Sequence, residues 1–154
     1  MLSRREWIRI TTAGAAVALA TGALPTYSAP VISITVYKSP SCGCCRKWVD
    51  HLRTNGFDVT TRDLEDEDLS EVKATFGVPS TLTSCHTATV GSYVVEGHVP
   101  AAEIKRMLRQ KPKIAGLAVP GMPPGSPGME GGTPQHYDVI AFERAGSTRV
   151  YARY

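Results

Sequence analysis

The sequence predicts an α/β fold: a βαβ unit, then antiparallel strands and a helix, closed by a Pro/Gly/Met loop and a C-terminal β-hairpin. Three observations predict it. Val31-Ile32-Ser33-Ile34-Thr35-Val36-Tyr37 is dense in β-branched and aromatic residues, the composition of a central strand. Cys45, Trp48, Val49 and Leu52 follow at the i, i+3, i+4, i+7 spacing of an amphipathic helix, and Asn55-Gly56 supplies its stop. A further strand and helix come next, and strand, helix, strand, helix in succession favours parallel pairing.

The second strand is read at Phe57–Thr61. The acidic run Glu65 to Asp68 is the first turn of the second helix, where carboxylates meet the positive end of the helix dipole. It lacks the alternation and the glycine of a calcium loop. This helix turns Leu69, Val72 and Phe76 inward and stops at Gly77. Pro79, between that helix and a new strand, stands where thioredoxin-like folds carry a cis proline facing their active-site cysteines, so a cis bond is expected there. Thr87–Val90 and Tyr93–Glu96 flank a turn at Gly91-Ser92. Pro100 opens a third helix with Ile104, Met107 and Leu108 inward. Residues 116–132, which carry Met122 and Met129, have the composition of a Pro/Gly linker. Tyr137–Glu143 and Arg149–Tyr154 read as a hairpin within 137–154. Two strands alone are barely stable in water, so the Met-bearing loop is expected to lie across the domain.

At 154 residues the chain suits one compact domain, read at 30–154. Residues 1–29 read as a cleaved export signal: a basic start with Arg4, Arg5 and Arg9, a small apolar run Thr11–Leu24, then small residues to Ala29. Paired arginines before a hydrophobic residue resemble a twin-arginine signal, and the expected location is the periplasm. The apolar run is shorter than the ~20 residues a membrane anchor needs, so no stable anchor is expected. Arg4, Arg5, Glu6 and Arg9 carry +2 of the net charge of +3, leaving +1 on the domain. No basic stripe remains to argue for nucleic acid.

Three of the four cysteines, Cys42, Cys44 and Cys45, fall within Ser41-Cys42-Gly43-Cys44-Cys45 at the start of the first helix. Unpaired backbone N–H groups and the helix dipole favour thiolate there. Cys42 and Cys45 have C-x-x-C spacing, and Cys44 adds a thiol that a plain disulfide switch does not need. The remaining soft donors are Cys85, His86, Met122 and Met129. Thiolates and thioethers favour Cu(I), whereas cysteines alone suit zinc equally well; the methionines tip the choice to copper. The donors outnumber what one Cu(I) ion uses, leaving room for bridging sulfurs and more than one ion. His98, at a strand end, is a minor candidate, while His51 and His136 read as solvated. No nucleophile elbow, phosphate loop or paired catalytic carboxylates stand out. Two alternatives stay open: a thiol-disulfide oxidoreductase in which Cys42 attacks and Cys45 resolves, and a structural module stapled by two disulfides.

Val36-Tyr37-Lys38-Ser39-Pro40-Ser41-Cys42-Gly43-Cys44-Cys45, Ser84-Cys85-His86-Thr87, Val94-Val95-Glu96-Gly97-His98-Val99-Pro100 and the segments around Met122 and Met129 resemble the CopG-like family. These are exported metal-binding proteins, long counted as a domain of unknown function and associated with copper resistance. The resemblance implies a thioredoxin-like core with copper held by the cysteine cluster, and Cu(I)/Cu(II) handling or interconversion. It carries over as ligands Cys42, Cys44, Cys45, Cys85, His86, Met122 and Met129. Copper ions and other periplasmic copper-handling proteins are the partners it implies, and it leaves open whether the protein is a carrier or an enzyme.

Overall fold

The computed structural model describes residues 31–154, so the export signal expected at 1–29 lies outside the described residues. Seven strands form one sheet: β1 (Ile32–Lys38), β2 (Phe57–Asp63), β3 (His86–Val90), β4 (Tyr93–Gly97), β5 (Gly116–Val119), β6 (Asp138–Phe142) and β7 (Thr148–Arg153). The helices are α1 (Gly43–Thr54), α2 (Asp66–Thr75) and α3 (Ala101–Gln110), with a short 3-10 turn at Ser80–Leu82. Strand order is β2-β1-β3-β4-β5-β6-β7. β1 runs parallel to β2 and antiparallel to β3, and β3 runs antiparallel to β4. That is the expected βαβ unit followed by an antiparallel pair and a helix. The terminal hairpin β6–β7 extends the sheet through β5 instead of standing alone.

The core forms where the predicted stripes meet. Trp48 and Leu52 of α1, Ile104 and Met107 of α3, and Val36, Ala88, Val95 and Leu117 of the sheet are fully buried together. Trp48 spends its polar edge on Val99, donating from Nε1 to the carbonyl at 2.9 Å, so its ring is buried without an orphaned N–H. This fixes α1, and with it the cysteines at its tip, against the segment between β4 and α3 that follows His98.

Four expectations are corrected. Among the described residues no peptide bond is cis, so Pro79 is trans; its extended backbone opens the 3-10 turn. The linker does not begin at Gly116: residues 116–119 are a wholly buried strand, β5, whose main chain bonds β4 on one side and β6 on the other. Four residues bounded by a proline are too few for periodicity to separate such a strand from a loop. The inner face of α2 holds Leu69 and Lys73, while Val72 and Phe76 are only half-buried. His51 is half-buried and accepts the Ala101 N–H through Nε2 at 3.1 Å, satisfying one of the orphan donors at the start of α3.

Candidate metal centre

The tip of α1 is built from sulfur. Cys42 is its N-cap, in extended backbone, and its Sγ accepts the Cys45 N–H at 3.3 Å. Cys42 and Cys45 form a disulfide, with Cys42 half-buried and Cys45 completely buried. Cys44 and Cys85 are free. Cys44 Sγ lies 3.5 Å from Cys42 Sγ, 3.7 Å from Cys85 Sγ and 3.9 Å from Met122 Sδ. The two-disulfide staple is therefore only half present: one bridge, beside two neighbouring free thiols. All four cysteine sulfurs fall within 4.8 Å of one another.

Cys85 is the junction of the cluster. It leads into β3 directly opposite the tip of α1, and His86 Nδ1 and His98 Nε2 lie 3.3 and 3.1 Å from its Sγ. His98 Nδ1 is 2.8 Å from the Pro127 carbonyl, which can only accept, so Nδ1 carries the proton and Nε2 turns its lone pair to the sulfur. A ring held in that tautomer by a backbone carbonyl is the second-sphere arrangement of a metal-ligating histidine. His86 is fully buried against Trp48, and its Nε2 has no hydrogen-bond partner. Burial, with His98 and Lys73 nearby, keeps His86 neutral by lowering its pKa well below the usual range; burial lowers that of His98 as well. Burial, and then the adjoining Cys44, push the Cys85 thiol up to about 12. In the metal-free protein Cys85 is a protonated thiol between two neutral imidazoles.

Beneath Cys85 lies a buried ion pair. Lys73 Nζ of α2 donates to Glu96 Oε1 of β4 at 2.5 Å and to the Ser84 carbonyl at 2.6 Å, and the Ser84 N–H donates to Glu96 Oε1 at 2.6 Å. Glu96 is fully buried and Lys73 nearly so. Burial raises the Glu96 pKa, opposed by Lys73 and the Ser84 N–H. The pair thus grips the main chain of the residue preceding Cys85 from both sides. The sequence signal was present in the inward face of α2, where position 73 falls one turn after Leu69, but a lysine there reads as solvated.

The Met-bearing loop packs back across the domain, as expected, and meets the cluster there. Gly128, at φ +91°, sits so close to α1 that a Cβ would lie 2.8 Å from the Cys44 carbonyl oxygen, 2.9 Å from Trp48 N and 3.3 Å from His98 Nδ1. Met122 reaches Cys44 but remains half exposed. Met129, by contrast, is tied through its main chain, its carbonyl accepting the Gly125 N–H at 3.0 Å, and its thioether makes no hydrogen-bond contact with the cluster among the described residues. Of the seven sequence-derived candidates, six are linked by these contacts and His98 joins them, while Met129 makes none of the sulfur contacts that Met122 makes. Gly128→Ala combines a disfavoured backbone with a clash against main chain. It is expected to cost about 2 kcal/mol in urea unfolding and to expose the 120–132 loop to limited proteolysis.

With the geometry in place, comparison with known proteins gives a consistent result. The family described as "Protein of unknown function, DUF411" matches residues 82–129, the span from the turn before Cys85 to Met129. A solved structure titled copper resistance protein CopG, form 1, is 45% identical, with a TM-score of 0.75 over 81% of this chain and 98% of its own. The chain belongs to the CopG family. A second CopG structure, form 2, matches at 46% identity and TM-score 0.75, covering 81% of this chain and 99% of its own. No curated protein matches. The family model spans the Cys85-His86 strand start, and the group of four cysteines is one that could hold a metal. No helix among the described residues is long and apolar enough to cross a membrane.

Proposed function

We propose that the protein binds Cu(I) through the thiols at the tip of α1 and the start of β3, as part of copper handling in the periplasm after export. The observation that carries this reading is the 3.7 Å approach of two free thiols, Cys44 and Cys85, with His98 Nε2 3.1 Å from one and Met122 Sδ 3.9 Å from the other. Two sulfurs held about 2.3 Å from a common ion at a tetrahedral angle lie about 3.8 Å apart, so the spacing fits a shared metal. A set of thiolate, thioether and imidazole is soft, and softness favours Cu(I) over magnesium, calcium or manganese. The names of the solved relatives point to the same metal. Imidazoles also suit Cu(II), which makes interconversion of the two states part of the reading. Bridging by Cys44 or Cys85 would let the cluster take more than one ion.

The chain's own residues have definable tasks. Cys44 and Cys85 surrender protons on binding, His98 offers a lone pair already oriented by Pro127, His86 lines the buried side, and Met122 closes the solvent side. Because thiols must deprotonate, apparent affinity rises with pH by about tenfold per unit for each thiol displaced, over the range where both are protonated. The test is anaerobic titration of mature protein with Cu(I) against a chromophoric chelator at pH 6, 7 and 8. Stoichiometric uptake that strengthens with pH is expected; failure to compete at any pH would end the reading. Other periplasmic copper-handling proteins are the partners it implies.

One observation favours a second reading as a thiol-disulfide oxidoreductase: Cys42 and Cys45 are bridged, with the half-buried sulfur outermost and the buried one behind it. That reading predicts that Cys42→Ser abolishes oxidation of a dithiol peptide by the purified protein. The copper reading requires no turnover.

A further inference from the structure

A cleft of about 580 Å³ opens beside the cluster, between α2, the 3-10 turn and the tip of α1. Cys42 and Cys85 are among its lining, together with apolar Leu69 and Val78 and several serines. Its volume is in the range of specific small-ligand and peptide sites. We propose that this cleft docks a net-neutral polypeptide dithiol, which reduces the Cys42–Cys45 disulfide and thereby enlarges the metal capacity of the cluster. The proposal rests on the copper reading above and adds its regulation.

The bridged form leaves two free thiols, Cys44 and Cys85; reduction makes four, all within 4.8 Å. Disulfide sulfurs are poor metal ligands beside thiolates, so the bridge withholds half the sulfur. Access is one-sided. Cys45 is completely buried, whereas Cys42 is partly exposed and faces the cleft, so an incoming thiolate reaches Cys42 Sγ. Attack there forms a mixed disulfide and breaks the bond to Cys45 Sγ, which leaves with the electron pair and takes a proton. The partner's second thiolate then attacks the partner sulfur of the mixed disulfide, releasing Cys42 as thiolate. The partner ends oxidised by two electrons with its own disulfide closed, and Cys42 and Cys45 end reduced.

The lining selects the partner's charge. The charged residues in it are Asp66 and Lys73, and Lys73 is consumed by Glu96 and the Ser84 carbonyl. An anionic thiol such as glutathione meets an exposed carboxylate and no free cation, whereas hydroxyls and apolar side chains suit peptide backbone and neutral side chains. Ala74 and Ser70, exposed on α2 and one turn apart, also line the cleft and can be enlarged without entering the core.

The test uses oxidised, metal-free mature protein. Thiol release is followed with a neutral synthetic Cys-x-x-Cys peptide, dithiothreitol or glutathione, and anaerobic Cu(I) uptake is measured before and after reduction. The expected results are Cu(I) uptake per chain at least doubled by reduction, faster reduction by the peptide than by equimolar glutathione, and a drop of about tenfold in the peptide rate in Ala74→Trp, with the dithiothreitol rate nearly unchanged. Ser70→Trp repeats the test if Ala74→Trp alters the unfolding midpoint. Equal Cu(I) uptake in both forms would overturn the gate while leaving copper binding intact. An unaffected peptide rate in both tryptophan variants would overturn the docking site. Absence of uptake in either form would overturn the copper reading itself.

Discussion

Cys85→Ser is expected to weaken Cu(I) binding by at least about 100-fold, the largest loss of any single substitution in the cluster. Its sulfur meets Cys44 at 3.7 Å, His86 at 3.3 Å and His98 at 3.1 Å, and among the described residues no other donor links the α1 thiols to the histidines. Removing an outer partner of a ligand typically costs ten- to 100-fold, so losing the bridging ligand itself costs at least the upper figure. His98→Ala is expected to fall within the lower range, because it removes one donor and leaves the paired thiols. Competition against a chromophoric Cu(I) chelator, without oxygen and after full reduction, measures both. If Cys85→Ser bound like the parent while Cys44→Ser did not, the metal would sit on the α1 face alone and the role assigned to β3 would be wrong.

Glu96→Ala is expected to destabilise the metal-free protein by about 3–5 kcal/mol, the cost of leaving a buried charge without its partner. Lys73 would keep one bond, to the Ser84 carbonyl, and the Ser84 N–H would lose its acceptor. The paired replacement Lys73→Met with Glu96→Leu is expected to recover most of that loss, since a buried ion pair seldom outperforms well-packed apolar groups. The two outcomes separate the roles of the pair. Urea unfolding reads stability, and Cu(I) competition on the double variant reads whether the grip on Ser84 matters for holding Cys85. Stability restored with affinity still depressed would identify Lys73 and Glu96 as positioning residues. A Glu96→Ala loss below about 1 kcal/mol would contradict their burial.

Much of this was legible in the chain because its signals were local. The β-branched run before Lys38 and the apolar stripe through Trp48 and Leu52 each span a full element, so composition located β1, periodicity located α1, and the cysteines fell on a helix tip. What escaped was set by tertiary context. β5 was hidden inside a Pro/Gly-rich composition because four buried residues between β4 and β6 carry no alternation to read. Lys73 was hidden because its partner lies on another element, 23 residues away, and charge alone says nothing of burial. Pro79 met the positional pattern for a cis bond and is nevertheless trans. At the site, Cys85 and His86 declared themselves by chemistry, but the stronger candidacy of His98 came only from the Pro127 carbonyl, on a loop whose path no spacing rule describes. The same loop gives Met122 a sulfur contact with Cys44, although composition treats it and Met129 alike.

X-ray absorption at the copper K-edge of the fully reduced, Cu(I)-loaded protein tests the central claim most directly. The structure predicts a first shell dominated by sulfur with a lighter imidazole contribution, and loss of much of the sulfur signal in a Cys44→Ser, Cys85→Ser double variant. A shell of nitrogen and oxygen alone, or a sulfur shell unchanged by removing Cys44 and Cys85, would contradict it.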